Sequence, residues 1–273
     1  MKMFIKILRI SGWILLLVGI IFTFAFVQKK EDQLLCSQIK IKILMNPVQE
    51  FFFVEDEDIL SLITHRCGQV VNFPLRNIDV NYIERLMYTN PWIARAEVYL
   101  NINGVLNIDI EQRNPILRVI NKKGESYYID SLGKLMVWSP KFTPRVLLAT
   151  GNISEFYDGW YKINLNEIIN NDTLKTLTVL DDLYAMTKFI LADEFWSAQV
   201  EQIYLNEDGE IELIPKVGNH KIIFGTIDGM AEKFRKLNFF YKEGLNYTGW
   251  NDYDTLNLKF NNQVVCTKSV AKN

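Results

Sequence analysis

The chain has 273 residues, 49% of them hydrophobic, 13% aromatic and 23% charged, with a formal net charge of −2. This is ordinary for a packed protein, and the balanced charge without any arginine- or lysine-rich stretch argues against nucleic-acid binding. Three cysteines cannot all pair within one chain, and two histidines stand in no catalytic or zinc-type motif.

Ile10 to Val27 run without a charge between Lys6/Arg9 and Lys29/Lys30. At about 1.5 Å per residue this covers roughly 27 Å as a helix, close to the hydrocarbon thickness of a bilayer. Residues 10–28 are therefore expected to form a single transmembrane helix behind a short tail, 1–9. A cleaved signal peptide would have a shorter apolar core and small residues at its exit, where this chain has Phe24-Ala25-Phe26-Val27. The basic residues Lys2, Lys6 and Arg9 favour a cytoplasmic N-terminus and a body on the other side of the membrane.

Gln38 to Met45 alternates apolar and polar residues, which predicts a half-buried strand, broken by Asn46-Pro47. The acidic run Glu55-Asp56-Glu57-Asp58 lacks the alternating oxygen ligands and turn glycine of a calcium loop. Acids suit a first helical turn, so a helix is expected over about 57–65, with Ile59, Leu60 and Ile63 on one face and an exit at Cys67-Gly68. Asp79 caps a second helix carrying Tyr82/Ile83 and Leu86/Met87, which stops before Asn90-Pro91. Trp92, beside that proline, is expected to be buried where the helix meets the sheet. Ala94 to Asn101 and Val105 to Glu111 read as a hairpin about Asn103-Gly104. The order strand–helix–helix–strand–strand over 38–113 predicts a three-stranded sheet with both helices on one face. Pairing of Cys36 with Cys67 stays open.

From Asn114 the pattern changes to short strands: Tyr127–Ile129, Lys134–Trp138 across a turn at Asp130–Gly133, and a run ending at Gly151. Residues 152–172 are irregular, and a helix is expected from about Leu174 to Leu191. A hairpin, Val200–Leu205 with Glu210–Ile214, precedes a strand at His220–Phe224. A basic amphipathic helix follows from about Met230 to Lys242. Its Lys233, Arg235 and Lys236 read as a solvated face opposite Phe234, Leu237 and Phe240 rather than a lipid contact. Asp254–Phe260 and Gln263–Val270 form a last strand pair about Asn261-Asn262. The fold class is thus α+β: one transmembrane helix, a β-α-α-β-β unit over 38–113, and a β-rich domain over 114–270 with two helices.

No phosphate-binding glycine loop, nucleophile elbow or HExxH occurs. No catalytic residue, cofactor or metal is assigned. Two alternatives stay open on residues alone: an anchored cell-wall hydrolase working with carboxylates, which no paired-carboxylate motif points to, and an extracytoplasmic ligand sensor.

Four segments carry a resemblance. Asn90-Pro91-Trp92-Ile93-Ala94-Arg95-Ala96-Glu97-Val98 and Leu106 to Pro115 are similar to the helix-to-strand and exit segments of the POTRA domain in the FtsQ/DivIB cell-division family. Tyr128-Ile129-Asp130-Ser131-Leu132-Gly133-Lys134-Leu135 resembles the opening of that family's β domain, and Leu256 to Phe260 its closing strand. Gln112 between Glu111 and Arg113, Asn257 and Lys259 depart from the family pattern. The resemblance implies a POTRA domain and a β domain behind one membrane span, without enzymatic activity or cofactor. It also implies a divisome scaffold that binds FtsB-like and FtsL-like coiled-coil proteins and helps control septal peptidoglycan synthesis. In the family a segment of FtsB pairs with the final strand, which falls here on Gln263, Val264, Val265, Cys266, Thr267 and Lys268, with Phe260 opening the same surface. Val264, Val265 and Thr267 favour extended backbone, and a terminal strand readily lies at a sheet edge.

Overall fold

The computed structural model describes residues 12–23, 34–44, 51–169 and 178–269. Residues 12–23 form helix α1, with apolar side chains such as Trp13, Leu15 and Phe22 exposed. Among the described residues no helix is long and apolar enough to cross a membrane. The flanking parts of the expected span, 10–11 and 24–28, lie outside the described residues. The chain divides into two compact units, one ending at Gln112 and the other beginning at Arg113.

The first unit is built by local signals. Strand β1 (Gln38–Leu44) lies parallel to β3 (Val105–Gln112), and β2 (Ile93–Leu100) pairs antiparallel with β3, giving the order β1-β3-β2. The register sets Ile41 beside Ile108 and Val98 on its other side, so the alternating apolar residues stack in rows on one face. Helix α2 (Asp56–Cys67) starts at the acidic run, where Glu55 N–H donates to the Asp58 carboxylate at 3.0 Å. Helix α3 (Val80–Met87) is capped by Asp79, which accepts from Tyr82 N–H at 2.9 Å. Ile59 and Ile63 of α2 and Ile83, Leu86 and Met87 of α3 are buried with Leu106, Ile108 and Ile110. Gly104 turns the β2–β3 hairpin at φ 76°, and a Cβ there would meet the Leu35 carbonyl oxygen at 2.5 Å, so only glycine fits.

Trp92 differs from expectation. It is half-buried, and Ile93 takes the buried position at the start of β2. Strand alternation decides this: Ile93, Ala96 and Val98 are the buried members of β2, with a register shift between Ile93 and Arg95. All three cysteines are free thiols, Cys36 buried and Cys67 partly exposed.

The second unit is one nine-stranded mixed sheet in the order β12-β11-β10-β9-β8-β7-β4-β5-β6. Strands β4 (Pro115–Ile120), β5 (Ser126–Asp130) and β6 (Leu135–Val137) form an antiparallel meander, with β7 (Leu147–Gly151) parallel to β4. Strands β8 (Val200–Leu205), β9 (Ile211–Pro215) and β10 (Lys221–Gly225) continue it, and β11 (Tyr253–Asn257) and β12 (Val265–Lys268) close it. Short helices α4 (Tyr157–Trp160) and α5 (Leu165–Ile169) occupy the stretch read as irregular. Helix α6 (Leu180–Leu191) begins later than the expected helix, with Thr178 and Val179 outside it, and 174–177 lie outside the described residues. Helices α7 (Glu194–Gln199), α8 (Met230–Phe239) and α9 (Leu245–Thr248) complete the unit, with a π-helical turn at Phe240–Gly244 between the last two.

The core of this unit is aromatic where helices meet strands. Phe234 of α8 stacks on Phe189 of α6 at 4.8 Å and lies against Phe224 of β10 and Trp196 of α7. Such ring pairs add to the burial of their large surfaces and hold α8 against the β10 end of the sheet.

Candidate functional site

Strand β12 is the last strand of the sheet. Its residues pair with β11 alone, Cys266 opposite Leu256 and Thr267 opposite Thr255, with a register shift between Tyr253 and Thr255. Among the described residues no strand lies on its other side. Val265, Thr267 and Lys268 are exposed, and only Cys266 turns partly into the core. The Thr255 and Thr267 hydroxyls meet at 2.8 Å across the pair, and Ser269 anchors the strand end, donating from its N–H to Asp252 O and from its hydroxyl to the Asp254 carboxylate. The result is a short β-branched strand with one row of backbone N–H and C=O groups turned outward, the arrangement that accepts an added strand. Burial raises the pKa of the Cys266 thiol, so it is a poor nucleophile.

The residues expected to form the surface are not all in the strand. Val265, Cys266, Thr267 and Lys268 make up β12, whereas Phe260, Gln263 and Val264 lie in the connection from β11. The expected tight hairpin about Asn261-Asn262 is a longer loop in which Asn262 has a positive φ of 57°. Gln263 and Val264 turn toward α8. With Arg235, Lys236, Phe239 and Phe240 they line an open groove of about 530 Å³. Phe239 is 70% exposed there, which helix periodicity alone does not reveal. The basic face of α8 also departs from a simply solvated one. Lys233 donates to the Thr226 carbonyl at 2.7 Å and sits 5.0 Å over the Phe224 ring, and Lys236 reaches the carbonyls of the β11–β12 connection.

The family profile for the FtsQ/DivIB C-terminal related domain matches residues 114–267, more than half of the chain, and that for the POTRA-like domain matches residues 34–111. The chain belongs to the FtsQ/DivIB family. None of the curated proteins matches it.

Within this FtsQ/DivIB chain the motif residues have definite structural work. Arg113 pairs with Asp130 at 2.7–2.8 Å from two guanidinium nitrogens, and donates to the Lys134 and Leu135 carbonyls at 3.0 Å. Asp130 in turn accepts from the N–H groups of Leu132 and Lys134, so the carboxylate closes its own turn. Both residues belong to the second unit, and the pair closes a seventeen-residue stretch of its chain. Gln112, which breaks the family pattern, is a buried clamp. Its carbonyl accepts from Phe53 and Val54 N–H at 3.0 Å, and its amide donates to Phe51 O at 2.9 Å. Lys259, in place of the usual arginine, pairs with Glu210 at 2.6 Å. Gln112, Arg113, Asp130 and Lys259 stand out in the sequence, but their partners do not, because each lies seventeen or more residues away.

Proposed function

We propose that this FtsQ/DivIB protein is a non-enzymatic scaffold of the cell-division machinery. Residues 10–28 anchor it in the cell membrane with the 1–9 tail in the cytoplasm, and its body stands outside the cytoplasm at the septum. The uncharged run and basic tail support the anchor and its orientation. Its β domain takes an FtsB-like partner, and with it an FtsL-like one, by strand addition along Gln263–Lys268, and so helps control septal peptidoglycan synthesis.

One observation carries this reading: among the described residues β12 ends the sheet, paired on one side only and with Val265, Thr267 and Lys268 exposed. An added strand satisfies the outward row of backbone groups, and flanking side chains select the sequence. The test is capture of division proteins from solubilised membranes by tagged Val265→Pro protein whose unfolding curve matches the parent. Proline removes a backbone donor and its ring obstructs pairing. The expected result is loss of the coiled-coil partners from the captured set. Undiminished capture by the folded variant places the interface elsewhere.

A further inference from the structure

The three cations of α8 go to three different places. Arg235 pairs with Glu232 one turn away in solvent, and Lys233 binds the Thr226 carbonyl. Lys236 reaches the β11–β12 connection: its ammonium donates to Leu258 O at 2.9 Å and Phe260 O at 2.5 Å, with Gln263 O at 3.5 Å. An ammonium has three protons and no acceptor, so these three carbonyls match its donors. The first and last of them bracket one loop. Leu258 follows β11, and Gln263 stands two residues before β12.

We infer that Lys236 is the positioning residue of the open strand edge, clamping the β11–β12 connection so that β12 presents a partner-ready row of backbone groups. The inference rests on the strand-addition reading above. A four-residue strand held on one side, with a register shift in its pairing, has few ladder bonds to resist fraying. The connection before it carries a non-glycine residue in the left-handed region, a conformation that must be held by its surroundings. Hydrogen bonds from a cation are roughly twice as strong as neutral ones and suit this task. Lys259 on the same loop is engaged with Glu210, so its charge serves a different contact. A partner strand that meets an edge already ordered avoids part of the entropy of ordering it on binding.

Position 236 separates positioning from folding. Helix α8 is fixed by Phe234 and Leu237, both buried, independently of the Lys236 ammonium. Lys236→Met keeps an unbranched apolar stem and good helix propensity while removing every donor. Lys236→Arg keeps a cation able to reach carbonyls. The experiment uses the full chain in nanodiscs, with amide hydrogen exchange read on peptides covering 258–268 and on the β8–β9 hairpin, 200–215, as internal reference. The same proteins are used to capture coiled-coil division proteins from membranes.

For Lys236→Met, exchange over 265–268 is expected to quicken about tenfold or more with 200–215 unchanged, because opening is confined to the edge. Capture is expected to fall about fivefold as preorganisation is lost, with Lys236→Arg restoring most of both effects. Unchanged exchange over 265–268 overturns the inference, whatever capture does. Faster exchange across 200–215 as well also overturns it, since Lys236 is then a general stability residue. Faster edge exchange with full capture overturns the strand-addition reading and, with it, the functional part of the inference.

Discussion

The nine-stranded sheet has two ends, and the chain treats them differently. Strand β6 has Leu135 and Met136 buried, and its preceding turn is wrapped by the chain's own groups. Leu165 N–H donates to Gly133 O at 2.8 Å, Lys134 bridges Asn164, and the Asn166 amide donates to Leu132 O at 2.7 Å. Arg113 covers two further carbonyls there. At the opposite end β12 keeps three of its four residues exposed. Edges are normally blunted by covering, charge or distortion, and at this end the turn into β6 and the Leu135 carbonyl are covered by the chain's own groups. Openness at β12 is thus a local property, and the strand-addition proposal rests on it.

The comparison can be broken first at its closed end. Arg113→Met leaves the Asp130 carboxylate, whose side chain is only 3% exposed, without its charge partner. Removing one member of a buried pair costs about 3–5 kcal/mol, so denaturant unfolding should show a loss of that order. A loss below about 1 kcal/mol would mean the pair is solvated and the closed end is held by other contacts.

A smaller effect is expected from His220, which precedes β10 on the open side. It is buried with Nε2 2.8 Å from the Tyr241 hydroxyl, and burial holds its pKa below the ordinary histidine value. The unfolded state therefore takes up the proton first, and stability falls as pH drops below about 6.5. Asp182 works in the opposite sense: burial, then the charges of Asp181 and Asp228, raise its pKa to about 6. Its native form protonates first, so it adds stability as pH falls through that value. The His220 contribution is isolated by comparing parent with His220→Gln between pH 8 and 5. The variant should lose less stability on acidification, and parallel curves would refute the burial of a neutral imidazole.

The smallest expected stability effect is at the open edge. Val265→Lys should change unfolding by no more than about 0.5 kcal/mol, because the residue is 42% exposed. The same change places a charge of the kind that protects natural edges, so partner capture should drop severalfold while the fold stays intact. A large stability loss would show that β12 is packed rather than open.

Much of the first unit was legible because its signals are local. The alternation of Gln38–Leu44, the Asp79 cap and the Asn-Gly turn each act within a few residues, and together they specify β-α-α-β-β. The second unit was legible in its hairpins but not in its strand order, since β4 lies beside β7, and β10 parallel to β11, through contacts distant in sequence. Trp92 was misplaced because a bulky aromatic beside a proline reads as a corner plug, whereas the pleat of β2 gives that place to Ile93. At the candidate site, the family resemblance pointed to the last strand, and its β-branched residues supported that placement. Nothing in the spacing showed that Lys236 would reach across to Leu258 and Phe260, or that Gln112 would satisfy three backbone groups far upstream.

The most direct test of the central claim sets the two edges against each other in living cells. A photo-crosslinking residue is placed at Thr267 on β12 or, separately, at Val137 on β6, and crosslinked partners are identified after irradiation. The account predicts a crosslink from position 267 to a small membrane coiled-coil division protein and none from position 137. Crosslinks to that partner from position 137 instead of 267, or equally from both, would contradict it.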